Sequence, residues 1–260
     1  MSNSLVVNGT SALGFVQPIR AVVLGARDGI GAALSEHLLA LPSVRKVLRT
    51  SRNASWTDAV VRPDKEERQV VDLTDDDSIE SLAERVALWD QPPNLIVNCT
   101  GLLHEEDMQP ERALKQLKRS SMRRAFDVNA TGVAMLIHNV LPQMPRDERC
   151  VFVSLSARVG SITDNRLGGW FSYRSSKAAQ NMILKTASIE AARRWPQLIV
   201  LAYHPGTVDT ELSKPFSSRV PEHKLFATGL AVEHLCRVIG ERTPSDTGGF
   251  YAWDGSSVEW

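Results

Sequence analysis

The feature that most restricts this chain is an alternation. Short runs that are apolar on both faces are separated by stretches whose apolar residues recur at helical spacing. Ile19 to Leu24 is apolar apart from Arg20 and ends at Gly25, after which helical spacing takes over through Leu41. The pattern repeats, with strands expected at Val44–Leu48, Val70–Val71, Leu95–Asn98, Val151–Ser154, Leu198–Tyr203 and Gly249–Trp253. Helices are expected at Asp75–Trp89, about Arg112–Leu141, Tyr173–Arg194 and Ala231–Ile239. Strands without a polar face must be covered on both sides, and right-handed crossovers place helices there. The expected fold is therefore α/β, a doubly wound parallel sheet of the Rossmann kind.

At 260 residues the chain fits a single α/β domain, expected over 19–260, with residues 1–18 as a flexible N-terminal tail. That tail carries Leu5, Val6 and Val7 but no basic region or continuous apolar stretch, and no later run has the length of a membrane span. Thirty Lys and Arg balance thirty Asp and Glu, so no net positive field is available to hold nucleic acid or an anionic membrane. Cys99, Cys150 and Cys236 form no C-x-x-C pair and no ligand-like cluster with the six histidines, so neither a disulfide framework nor a metal site is expected. A cytoplasmic location follows as the expectation. The irregular stretch at about 206–228, with Pro215 and Pro221, is long enough for a substrate loop. In it Leu212, Phe216 and Leu225 fold over an apolar compound or cover the core edge.

Gly25-Ala-Arg27-Asp28-Gly29-Ile30-Gly31 joins the first strand to the first helix. A backbone stripped of side chains can bring amides and a helix N-terminus up to a pyrophosphate, although glycines also make ordinary turns. The second strand ends in Arg49-Thr-Ser51-Arg52, with no acid for a ribose 2′-hydroxyl. Arg52, Ser51 and Arg27 could instead hold a 2′-phosphate, which favours NADP over NAD, unless they form only a solvated loop. Asp72, followed by Leu73, could accept from the adenine amino group or cap the next helix. Asn98-Cys99-Thr100-Gly101 and Pro205-Gly206-Thr-Val208-Asp-Thr210 end later strands on the same cofactor edge.

Tyr173 and Lys177 stand four residues apart on one expected helix face. A phenol of ordinary pKa about 10 is a poor acid at neutral pH, and a nearby cation would lower that value. Ser154 and Ser156 end a strand where ligands bind in open α/β sheets, and a serine there can polarise a carbonyl. Asn129 sits inside the expected long helix, where Asn is a poor helix former.

In their order along the chain, these segments resemble the short-chain dehydrogenase/reductase family, from about Ile19 to the last strand. Two of them, Ser156 to Tyr173 and Phe250-Tyr-Ala-Trp-Asp-Gly255, are similar to the C-factor and sniffer-type carbonyl reductases. The resemblance implies an NADP-dependent oxidoreductase reducing a carbonyl, with Tyr173 as general acid and Lys177 on the nicotinamide ribose. It also implies Ser156 on the carbonyl, Asn129 in a water-linked proton relay, and Val208 and Thr210 against the nicotinamide amide and the phosphates. A homodimer or homotetramer acting on a small carbonyl substrate is implied as well. The chain departs from the family at Ala157, where many members carry the catalytic serine, and in a longer serine-to-tyrosine interval. The alternatives are a binding or signalling module of the C-factor kind with little catalysis, and an NAD-dependent alcohol dehydrogenase.

Overall fold

Seven parallel strands run through the centre of the computed structural model, which describes residues 13–56, 62–219, 221 and 224–260. They are β1 (Ile19–Leu24), β2 (Val44–Ser51), β3 (Glu66–Val70), β4 (Leu95–Asn98), β5 (Cys150–Leu155), β6 (Leu198–His204) and β9 (Gly249–Ala252). Their order is β3-β2-β1-β4-β5-β6-β9. The expected doubly wound sheet is therefore present. The order reverses between β1 and β4, which opens a crevice at their carboxyl ends.

Alternation along each strand divides the core in two. Val22, Leu24, Ile96, Phe152 and Val200 face one side, against Ile79 and Leu82 of α2 (Asp76–Ala87), Val133 and Leu136 of α4 (Gly132–Val140) and Leu184 of α5 (Phe171–Ala191). Val23, Val47, Val97, Val153 and Leu201 face the other, against Leu34 and Leu38 of α1 (Gly29–Ala40) and Leu235 and Ile239 of α6 (Thr228–Glu241). No described helix is long and apolar enough to cross a membrane.

Four expectations need correction. Residues 13–18 are not a tail, because Leu13 and Phe15 are buried in the second cluster; residues 1–12 lie outside the described residues. The third strand begins earlier than Val70, since the polar run Glu66–Val70 is held by ion pairs: Glu66 meets Arg68 at 2.7 Å and Arg49 of β2 at 3.1 Å. Residues 112–118 are not helical with the rest. Gln116 Oε1 takes the Arg112 and Ala113 amides, at 2.6 and 3.1 Å, into a separate turn, and α3 (Arg119–Phe126) starts afterwards. The 206–228 stretch contains a second, two-stranded sheet, β7 (Thr207–Val208) with β8 (Leu225–Phe226), so Leu225 belongs to that sheet.

Candidate active site

The crevice holds a cleft of about 430 Å³. One end is built by the first βα turn. Gly25 has φ +71°, and a side chain there would press on Cys99 and Thr100 at 3.2 Å. A Cβ on Gly31 would lie 2.2 Å from the Gly25 carbonyl oxygen, so any larger residue forces α1 away from β1. With these two side chains missing, the α1 N-terminus opens on the cleft beside Arg27, Asp28, Gly29 and Ile30. Its unpaired amides and helix dipole suit an anion.

Ser51, Arg52, Asp72 and Leu73 line the same end. Arg27 and Arg52 are more than half exposed and held by single acids, Asp28 at 3.0 Å and Glu105 at 3.6 Å. Burial pushes the Asp72 carboxyl up. Hydrogen bonds from Thr74 and the charges of Arg124 and Arg52 more than offset this and hold it below the usual value. Asp72 thus closes its own turn while still facing the cleft. Arg49, which the sequence reading passed over, supports this end from beneath. It is 4% exposed, ion-paired with Glu36 and Glu66, and donates to Ala26 O at 3.3 Å. Its signal in the sequence was a charge at an otherwise apolar strand position.

Cys99, Thr100 and Gly101 line the middle, as do Pro205 and Thr210. Thr210 Cγ2 would lie 3.2 Å from a Cβ on Gly29, which places it over the α1 N-terminus. Asn98, Gly206 and Val208 stand behind the wall. Asn98 is fully buried beneath Thr100, whose hydroxyl donates to Asn98 Oδ1 at 2.6 Å, and the Val208 carbonyl accepts from Ser213 Oγ. A side chain on Gly206 would meet Phe226 at 2.6 Å, so its glycine answers to packing.

The other end presents Tyr173 and Lys177, one turn apart on α5 and both buried. Lys177 Nζ donates to Leu155 O and to Gln180 Oε1, each at 2.8 Å, and lies 6.0 Å from the Tyr173 ring centroid. Burial lowers the lysine to about 7. Burial also pushes the Tyr173 phenol up, opposite to the lowering expected from the neighbouring cation. The reason is that withdrawal of both groups from water outweighs their attraction, because each resists its charged form.

Ser156 lines the cleft, but its hydroxyl donates to Asn181 Oδ1 at 2.6 Å, so in this arrangement its proton is not directed at a carbonyl. Ser154 is fully buried and accepts from Asn98 and Gln180, a framework role. Asn129 lies in a π turn, 127–131, between α3 and α4. Its amide pairs with the Leu102 backbone in both directions at 2.8 Å and donates to Ser176 at 3.0 Å, so it clamps the loop behind Gly101. It does not itself line the cleft.

Leu102, Leu103, His104 and Leu212 complete the mouth, residues that carried no motif. His104 Nε2 donates to Leu212 O at 3.2 Å and its ring meets Phe216 edge-on, joining the two flanking loops. Trp170 lies 5.0 Å from Phe216 and 6.2 Å from Tyr173, centroid to centroid. Among the described residues Trp170 is the one non-glycine with positive φ, +51°. Such strain costs about 1–3 kcal/mol and concentrates at functional sites. Here Glu111 offsets it: its carbonyl takes the Trp170 amide at 2.5 Å, and its carboxylate takes the Ser172 amide at 3.1 Å.

Comparison with known proteins places this geometry in a family. The sequence model for the short chain dehydrogenases matches residues 20–221. The 1-hydroxy-2-glutathionyl-2-methyl-3-butene dehydrogenase of Rhodococcus sp. is 30% identical over 73% of this chain and 78% of its own length. The C-signal protein of Myxococcus xanthus is 29% identical over 57% of this chain and 84% of its own. Among solved structures, carbonyl reductase Sniffer of D. melanogaster superposes with a TM-score of 0.80 at 21% identity, covering 94% of this chain and all of that one. The NADPH-bound carbonyl reductase from chicken fatty liver gives 0.81 at 23%, covering 98% and 100%. With the glycine turn, the crevice and the Tyr173–Lys177 pair in place, the chain belongs to the short-chain dehydrogenase/reductase family of oxidoreductases.

Proposed function

We propose that this protein reduces an aldehyde or ketone to an alcohol with NADPH. The observation that carries this reading is one continuous cleft. It has an anion-receptive helix N-terminus at one end and a buried phenol–amine pair at the other. Residues 25–31 leave the room a dinucleotide needs, and the basic side chains beside Ser51 suit a 2′-phosphate. When bound, the nicotinamide supplies the hydride that goes to the carbonyl carbon.

The chain does the rest. Tyr173 keeps its proton at neutral pH and donates it to the carbonyl oxygen as negative charge develops there. Lys177, with two of its three N–H groups on Leu155 and Gln180, directs the third toward the cofactor ribose. Ser156 serves the carbonyl by turning its hydroxyl from Asn181, at a cost of about 1 kcal/mol for one hydrogen bond. Asn129 supports the relay by fixing the wall at Leu102. Leu102, Leu103 and Leu212 make the mouth apolar, with Phe216 and Trp170 packed behind His104, and suit a hydrophobic carbonyl compound. Self-association is proposed through α3 and α5, where Met122, Met182 and Ile189 remain exposed.

A binding or signalling role without catalysis would use Lys177 on the cofactor but gives no reason for a buried phenol, Tyr173, beside it at the end of the cleft. The test is NADPH oxidation, followed at the nicotinamide absorbance, against a panel of aldehydes, ketones and quinones. Turnover of at least one class, lost in Tyr173→Phe, supports the reading; its absence across the panel overturns it.

A further inference from the structure

One side chain in the reacting end is fully buried, polar and so far without a task in the chemistry. Gln180 is 0% exposed and lies on α5 three residues after Lys177. We propose that Gln180 is a positioning residue: it fixes the Lys177 amine against the cleft wall and couples it through Ser154 and Asn98 to the cofactor edge of β4. The proposal rests on the carbonyl reductase reading, because it concerns the group placed beside the cofactor ribose.

As an ammonium Lys177 has donors only, so the Gln180 amide meets Nζ with its oxygen, at 2.8 Å. That orientation fixes the other half of the amide. Gln180 Nε2 then donates to Ser154 Oγ at 2.8 Å and to Leu155 O at 3.2 Å. Ser154 Oγ also accepts from Asn98 Nδ2 at 2.9 Å, and Asn98 Oδ1 takes the Thr100 hydroxyl at 2.6 Å. An unbroken row therefore runs from Thr100, in the cleft wall, to the lysine. Asn98, Ser154, Gln180 and Lys177 are all 2% exposed or less, so no water competes for these bonds. A row buried this way holds its members in one arrangement.

The choice of an amide has a consequence. Among the described residues no carboxylate shifts Lys177; burial is the cause of its lowered value. Around it stand Leu155 O, Gln180 and Tyr173, with Asn129 Oδ1 beside the same wall at Gly101, Ser154 and Asn98 reached through Gln180, and Cys99 lining the same cleft. Burial pushes the Cys99 thiol up to about 12, so it is uncharged at neutral pH. A carboxylate at 180 would hold the amine in the same place but pin it as an ammonium. An apolar residue would leave it one protein acceptor, Leu155 O, and let it swing. Glutamine holds the position without fixing the charge.

The test uses full-length protein labelled with ¹³C at lysine Cε, with the Lys177 signal assigned by its loss in Lys177→Met, alongside steady-state kinetics. Gln180→Met keeps length and volume but makes no hydrogen bond. It is expected to lower the Lys177 titration midpoint by about one pH unit, since a hydrogen bond to the charged form is lost. It should also cut kcat about tenfold with little change in the KM of the carbonyl compound. Gln180→Glu keeps the acceptor, raises the midpoint and restores most of the lost turnover. Should Gln180→Met fail to fold, Ser154→Ala, which removes the acceptor behind Gln180, lowers the midpoint by a smaller amount. An unchanged Lys177 titration in the variants, with only thermal stability altered, overturns the proposal. Shifted titrations in a protein that oxidises NADPH with no carbonyl compound would uphold the positioning role while the reductase reading fails.

Discussion

At the nucleotide end of the cleft, Arg27 and Arg52 leave 52% and 63% of their side-chain surface in water and lean on single acids. At the reacting end, Lys177 is 2% exposed, and its neighbours Gln180 and Ser154 are sealed from solvent. The first arrangement can rearrange at little cost, because exposed ion pairs contribute about 0–1 kcal/mol. The second cannot, because each buried donor left unpaired costs about 1–3 kcal/mol. Selectivity by charge tolerates looseness, whereas a proton transfer needs its groups held within hydrogen-bond reach.

Substitutions at the two ends sharpen or break that comparison. The largest effect is expected at Tyr173. Tyr173→Phe should leave NADPH affinity nearly intact and lower kcat by roughly 10²- to 10⁴-fold, the range for losing a general acid. Near-normal turnover in that variant would remove the phenol from the chemistry.

Arg52→Asp comes next. It replaces a cation with an acid at the proposed 2′-phosphate, and the preference for NADPH over NADH should fall about 10- to 100-fold in a fluorescence titration, with kcat on saturating cofactor little changed. Equal affinities already in the unmutated protein would show that the exposed end does not select the phosphate.

Ser156→Ala is expected to lower turnover by about tenfold at most, since its proton rests on Asn181 and must be turned toward the substrate. A loss as large as that of Tyr173→Phe would mean that the reacting end rearranges more than its burial suggests.

The smallest effect is on stability and concerns the buried amine. Lys177 titrates at about 7 in the folded chain, against an ordinary 10.5. Between those values the unfolded chain binds the extra proton, so stability rises with pH across that window. Below about 7 both states carry the charge, and its burial is fully unfavourable. Lys177→Met should therefore raise the Tm by several degrees at pH 6, on a scale of ~2–4 °C per kcal/mol for a chain of this size. The gain should shrink toward pH 10. A gain that does not depend on pH would contradict the lowered value.

What the sequence determined by itself is the sheet, the glycine turn and the pair on α5. Each depends on residues close in the chain: β1 and Gly25–Gly31 are contiguous, and Tyr173 and Lys177 are one helical turn apart. Apolar runs and spacings of three and four residues are local, so they can be read without knowing what packs against what. Two of the misjudged features depended on partners distant in sequence. Glu66–Gln69 shows no strand signal until Arg49 is placed beside it, and Leu13 and Phe15 read as tail until α6 covers them. Only the tertiary structure decided that Ser156 faces Asn181, that Asn129 answers the Leu102 backbone, and that Gln180 rather than an acid stands against Lys177. It also set the direction of the Tyr173 shift, because desolvation depends on every group that excludes water and none of them is named by the residue itself.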